Sequence, residues 1–176
     1  MALRMSRKIW VILAIVIVAV GATVGITLSD SPASPSDFTL PIITWNETTL
    51  STLQGTPVVL NFWSIGCSWC RYQLPFLEAV AQQNEEELEV VAINTANSAA
   101  SIRKFFADYE PAMTIALDQS REAFLDYCLA YNNMGQAIPF TLFVDSEGVV
   151  QYAKIGAFAS EEALWNTVHD VFGITP

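Results

Sequence analysis

Hydrophobic residues fall along this chain in three patterns. The first is a block, IWVILAIVIVAVGATVGITL, twenty residues from Ile9 to Leu28 without a charge. Apolar side chains occupy every helical face of it. At about 1.5 Å of rise per residue, such a helix crosses the roughly 30 Å core of a bilayer. The second pattern is a set of short apolar runs: PVVLNFW (57–63), LEVVAIN (88–94), TIALD (114–118), FTLFVD (140–145) and VVQYAKI (149–155). These predict strands, the first two buried on both faces. The third is helical spacing. It predicts helices from about Ser68 to Gln83, from the capping Ser98 through Tyr109, from Arg121 to Tyr131, and from the capping Ser160 to Phe172. Phe124, Tyr127, Cys128 and Tyr131 share one stripe. In the last helix Glu161 and Glu162 suit the positive end, Leu164, Val168, Val171 and Phe172 form the stripe, and Gly173 ends it. Ile42–Trp45 and Thr48–Leu50 read as a hairpin around Asn46-Glu47, and Ser146-Glu-Gly148 as the turn of a second one.

The order β-α-β-α-β-α-β-β-α implies an α/β domain, a mixed central sheet flanked by helices on both faces, preceded by one N-terminal transmembrane helix. The expected segments are a cytoplasmic tail at 1–8, an anchor at 9–28, a linker at 29–37 and a folded domain at 38–176. The linker, SDSPASPSD, has almost nothing to bury, and EEELE at 85–89 reads as a solvated helix end and loop. A domain of this length can bury a core without a structural disulfide.

Charge sets the orientation. Arg4, Arg7 and Lys8 precede the apolar block, and no basic residue follows until Arg71. That asymmetry places the N-terminus in the cytoplasm and the domain outside the cell membrane. A cleavable signal peptide has a shorter apolar region and a small-residue cleavage site; here the run is longer and no clear A-x-A pattern follows, so a retained single-pass anchor is expected. All 18 carboxylates lie beyond the block against five cations, a formal charge of −13 for the exported part. Nucleic acid and anionic lipid headgroups are therefore not expected partners.

The chemistry concentrates in FWSIGCSWCRYQLP, from Phe62 to Pro75, where Cys67 and Cys70 stand in C-x-x-C spacing. The pair falls where a buried strand gives way to a helix. Free N–H groups and the helix dipole there favour a thiolate at Cys67, and Cys70, one turn deeper, is near enough to close a disulfide. The spacing alone leaves a zinc site or a static disulfide open. Zinc would need two more ligands, and Cys128 and His169 stand singly inside predicted helices. Cys128 reads as a buried thiol, His169 as a surface residue, and Trp45 and Trp165 as packing residues.

DFTLP (37–41), GTPVVLNFW (55–63), the C-x-x-C, Pro75, the segment AIPFTLFVDSEG (137–148) and Gly156 together resemble the thioredoxin superfamily. More narrowly, they resemble membrane-anchored TlpA/ResA-like thiol-disulfide oxidoreductases related to the AhpC/TSA group. The similarity runs from about Asp37 to Phe172. It implies a thioredoxin-like fold and roles for particular residues. Cys67 would be the attacking thiolate and Cys70 the resolving thiol, the pair cycling as a redox-active disulfide with no other cofactor and no metal. Pro139 would be cis, holding its loop beside the cysteines and leaving the Ile138 backbone to pair with a partner strand. Pro75 would kink the active-site helix. Trp69 reads either as an aromatic contact for a partner or as a packing residue. The implied partners are protein thiols and disulfides, with a membrane thiol transporter as electron donor, and cytochrome c maturation is one setting for such a reductant.

Two departures stand out. Thioredoxin has a buried aspartate where this chain has Asn61, and ResA-type relatives have a glutamate where it has Gln73. Neither position supplies a carboxylate to take the proton of Cys70, and Glu78 lies two turns away, so Cys70 is expected to lose its proton slowly or to rely on water. Two rival functions remain. A thioredoxin-like module that binds a soft metal or a partner without turnover lacks a Met or His cluster, since Met113 and Met134 are distant in sequence. A peroxiredoxin-like peroxidase would carry P-x-x-x-T-x-x-C, but Leu60 and Ser64 occupy the first two positions of that pattern.

Overall fold

Strand β3, Val58–Trp63, is buried at every position, which only the middle of a sheet covered on both faces allows. A computed structural model describes residues 37–44, 46–83 and 86–176. The expected anchor, most of the linker, Trp45 and Glu85 lie outside the described residues. Among those described, no helix is long and apolar enough to cross a membrane.

The elements are β1 (Thr39–Pro41), β2 (Glu47–Thr49), a 3₁₀ turn (Leu50–Leu53), β3, α1 (Ser68–Gln83), β4 (Glu89–Asn94), α2 (Ala99–Phe105), β5 (Thr114–Leu117), α3 (Glu122–Ala130), β6 (Phe140–Val144), β7 (Val150–Ile155) and α4 (Glu161–Phe172). The main sheet has the order β5-β4-β3-β6-β7. Strands β3, β4 and β5 run parallel, and β6 and β7 run antiparallel to their neighbours. The expected mixed sheet with helices on both faces is therefore present. One face is covered by α1, α2 and α4 around Val59, Trp63, Leu77, Ile102 and Leu164. The other is covered by α3 and the N-terminal hairpin around Phe38, Leu60, Phe62, Phe124 and Tyr127.

Helix ends follow local chemistry. Ser98 and Ser160 accept N–H bonds from Ser101 and Ala163, and Gly173 takes the left-handed conformation (φ 76°) that closes α4. Three expectations need correction. The first hairpin pairs Thr39–Pro41 with Glu47–Thr49, not Ile42–Trp45 with Thr48–Leu50. Phe38 and Leu40 take the buried positions, while Ile42 bridges to Ala116 and Ile43 N–H bonds to Ile115 C=O. Second, α2 stops at Phe105 instead of Tyr109. Past the C-cap Phe106 the chain closes only turn bonds, Ala107 N–H to Lys104 C=O and Tyr109 N–H to Phe106 C=O, and the Glu78 carboxylate then accepts from Ala112 N–H and Met113 N–H ahead of β5. Third, Glu89 belongs to β4; only Glu86 and Glu87 of the acidic run are described as exposed turn.

Phe62 is fully buried and its ring meets Phe124, Tyr127 and Phe140 at 5.3–6.0 Å. Phe62→Ala should cost about 3–5 kcal/mol of unfolding free energy, read as a lower denaturant midpoint.

Candidate active site

Strand β3 ends at Trp63, and the chain turns through Ser64–Gly66 into α1. That turn is pinned from two sides. Ile65 N–H donates to Asn97 Oδ1 (2.9 Å), and Arg71 Nη1 donates to Ile65 C=O (2.6 Å). Asn97 is held in turn through its own N–H, which donates to Asn94 Oδ1 (2.8 Å). The helix then begins at Cys67, whose C=O accepts from Arg71 N–H (3.1 Å). Cys67 Sγ takes the place of a capping oxygen: Cys70 N–H points at it from 3.0 Å. A sulfur so placed is stabilised as a thiolate by a donor already aimed at it and by the helix dipole.

Cys67 and Cys70 form a disulfide, with Cα atoms 5.2 Å apart. Cys67 is half-buried and Cys70 wholly buried. Cys67 is thus partly open to solvent, while Cys70 is closed off from it. Ile138 C=O lies 3.7 Å from Cys67 Sγ, and the Ile138–Pro139 bond is cis. Pro139 is buried, and its C=O is held by Gly156 N–H (2.8 Å). The N–H of Ile138 has no hydrogen-bond partner among the described residues. Trp69 is 65% exposed and stands edge-on to Tyr72. Tyr72 Oη donates to Ala159 C=O (2.8 Å) and ties α1 to the loop before α4.

Behind the cysteines lies a neutral network. Gln73, three residues on from Cys70 and so on the same helical face, is wholly buried. Its Nε2 donates to Asn61 Oδ1 (2.9 Å) and Thr141 Oγ1 (3.1 Å), and its Oε1 accepts from Phe158 N–H (2.9 Å). Thr141 Oγ1 also donates to Asn61 Oδ1 (3.1 Å), while Asn61 Nδ2 has no partner among the described residues. The two residues that depart from the relatives' pattern are therefore bonded to each other. Glu78, the nearest carboxylate along α1, is committed to Gln82 Nε2 (2.9 Å) and to the backbone at Ala112 and Met113.

The remaining candidates lie apart. Cys128 lies on the buried face of α3, and burial pushes its thiol pKa up. His169 is exposed beside Asp170, and Trp165 is buried in the core. Among the described residues, no cluster of three or more His, Cys, Asp or Glu could hold a metal. Sequence reasoning missed Asn97, Thr141 and Arg71. An Asn94-x-x-Asn97 pair after a strand signals a side-chain-stabilised turn, but nothing local says that the turn supports the cysteine loop.

The AhpC/TSA family model matches residues 33–153. The chain belongs to the AhpC/TSA family. It is 29% identical over 129 residues to the thioredoxin-like protein YneN of Bacillus subtilis, covering 72% of each chain. It is 28% identical over 127 residues to the thiol-disulfide oxidoreductase ResA of Geobacillus kaustophilus, covering 72% of this chain and 70% of that one. Among solved structures, it is similar to a candidate thiol:disulfide interchange protein DsbE of Chlorobium tepidum. The TM-score is 0.69 at 25% identity, over 81% of this chain and 97% of that one. A secreted disulfide oxidoreductase of Mycobacterium tuberculosis shares the fold at a TM-score of 0.64 and 24% identity, over 76% of this chain and 95% of that one. The domain is a thioredoxin-like α/β fold of the TlpA/ResA-like type, and it is a thiol-disulfide oxidoreductase.

Two outcomes test this geometry. In the reduced protein at neutral pH, iodoacetamide should modify Cys67 quickly and leave Cys70 and Cys128 largely unmodified, as read by peptide mass spectrometry. Gln73→Glu should fold, because Asn61 can turn its amide and present Nδ2 to the new carboxylate beside Thr141 Oγ1 and Phe158 N–H. Its rate of disulfide reduction should gain an ionisation between about pH 5 and 9 that the parent lacks. Superimposable pH–rate profiles would show that the missing carboxylate does not matter.

Proposed function

We propose that the protein is a membrane-anchored extracytoplasmic reductant of protein disulfides. The observation that carries the reading is the asymmetry of the pair: a half-exposed sulfur capped by the Cys70 N–H, over a second sulfur sealed in the core. The Cys67 thiolate attacks one sulfur of the substrate disulfide, and the other substrate sulfur leaves as a thiolate. Cys70 then loses its proton and attacks Cys67 Sγ. The mixed disulfide breaks, the second substrate sulfur is released as a thiolate, and Cys67–Cys70 is oxidised. Two electrons have passed to the substrate. A membrane thiol transporter, drawing on the cytoplasm, would return them by the same exchange in reverse.

Substrate binding follows from the free N–H of Ile138, beside Cys67, which can pair with an extended polypeptide as an added strand. Pro139 holds that loop in place and Trp69 offers an aromatic contact. The N-terminal apolar block and its flanking cations support the anchor and the orientation. The similarity to ResA proteins supports reduction as the direction, with cytochrome c thiols as one substrate class. A peroxidase reading is not favoured, because Leu60 is sealed inside the sheet where the peroxiredoxin pattern has its proline.

Cys70→Ser, expressed as the full chain in its membrane, should accumulate mixed disulfides through Cys67, seen as reductant-sensitive bands on non-reducing gels. Cys67→Ser should accumulate none. Equal trapping by both variants, or by neither, would contradict the proposed roles.

A further inference from the structure

A groove of about 500 Å³ opens beside the cysteines. One wall is Ile138, whose C=O touches Cys67 Sγ, so the groove begins where a bound polypeptide would pass. Thr95 and Asn97 come from the turn after β4, Gln119 and Arg121 from the turn after β5, and Gln136 from the approach to Pro139. Arg121 is the only charged residue in this lining. The adjacent Asp118 is buried, with its oxygens accepting from Phe124 N–H and Ser120 Oγ. Glu122 and Asp126 line a different pocket, with Asp37.

Arg121 is also held. It takes a left-handed backbone conformation (φ 62°), uncommon for a residue with a Cβ. Its Nη2 donates to Gln136 Oε1 (3.0 Å), itself on a left-handed residue (φ 50°). Its Cζ stacks 5.2 Å from the centre of the Phe124 ring. A guanidinium has five N–H donors, and the Gln136 bond uses one of them. A planar fork fixed in this way is suited to a carboxylate.

We propose that this groove recognises an acidic side chain close to the reactive cysteine of the substrate polypeptide, with Arg121 as the recognising group. The proposal rests on the thiol-disulfide reading and adds a substrate class to it. The exported part as a whole, at −13 with Arg121 included, repels an acidic polypeptide. Arg121 offsets that repulsion at one place and turns away a cation there, which makes it a specificity element.

The test uses the reduced full-length protein and disulfide-linked peptides that differ only in having Glu, Gln or Lys two residues from a cysteine. The reading is the second-order rate of enzyme oxidation. The Glu peptide should react about five-fold faster than the Gln peptide and the Lys peptide more slowly, a preference fading in about 0.5 M salt. In Arg121→Gln the Glu-to-Gln ratio should fall to about one. Gln136→Glu, which sets a carboxylate against the guanidinium, should lower it without removing the arginine. Equal rates for Glu and Gln peptides in the parent, or a preference that survives both substitutions, would overturn the proposal. A parent protein that none of the three peptides oxidises would instead overturn the thiol-disulfide reading on which it rests.

Discussion

The Cys70 N–H aimed at Cys67 Sγ is the contact on which the site depends. It exists only if a helix begins at residue 67, and that start is set by what precedes it. Strand β3 is fixed at the centre of the sheet by β4 on one side and β6 on the other, so its end delivers the turn to one place. Asn97 and Arg71 hold the turn, and Ile138, carried in just ahead of β6, closes over the sulfur. A displaced β3 would lose the capping geometry and the Ile138 contact together.

The second constraint is the absence, among the described residues, of a charge in the network behind the pair. Asn61, Gln73 and Thr141 occupy the space with neutral groups that satisfy one another, apart from the Nδ2 of Asn61. A buried carboxylate would face a desolvation penalty but could exchange a proton with Cys70. An amide network avoids that penalty and provides no base. In the proposed exchange, the resolving step would then need a proton acceptor other than these residues, such as solvent.

Much of this was legible from the residues. The apolar runs placed the five strands of the main sheet, because buried strands have little choice of composition. The bounds expected for α1 match, since the cysteine turn starts it and the polar residues after Ala81 leave nothing to bury. The N-terminal hairpin was misplaced because IITW is as apolar as the true strand, and only contact with β5 shows that Ile42 and Ile43 serve another purpose. The far end of α2 was misjudged because helical spacing persists to Tyr109, whereas past Phe106 the chain closes only turn bonds. At the site, the cysteines and Pro139 could be placed from the sequence. The mutual pairing of Asn61 and Gln73, residues from a strand and a helix, needed three dimensions. So did the meeting of Arg121, Gln136 and Ile138 around one groove.

The central claim is that Cys67 and Cys70 form a reducing dithiol, and their reduction potential tests it most directly. Trp63, packed in the same core as Cys70, and the exposed Trp69 provide a fluorescence signal for equilibration in thiol–disulfide buffers. The account predicts a reversible two-electron transition near or below about −230 mV, within reach of electrons from the cytoplasm. A potential near about −120 mV would make the protein a disulfide donor and contradict it.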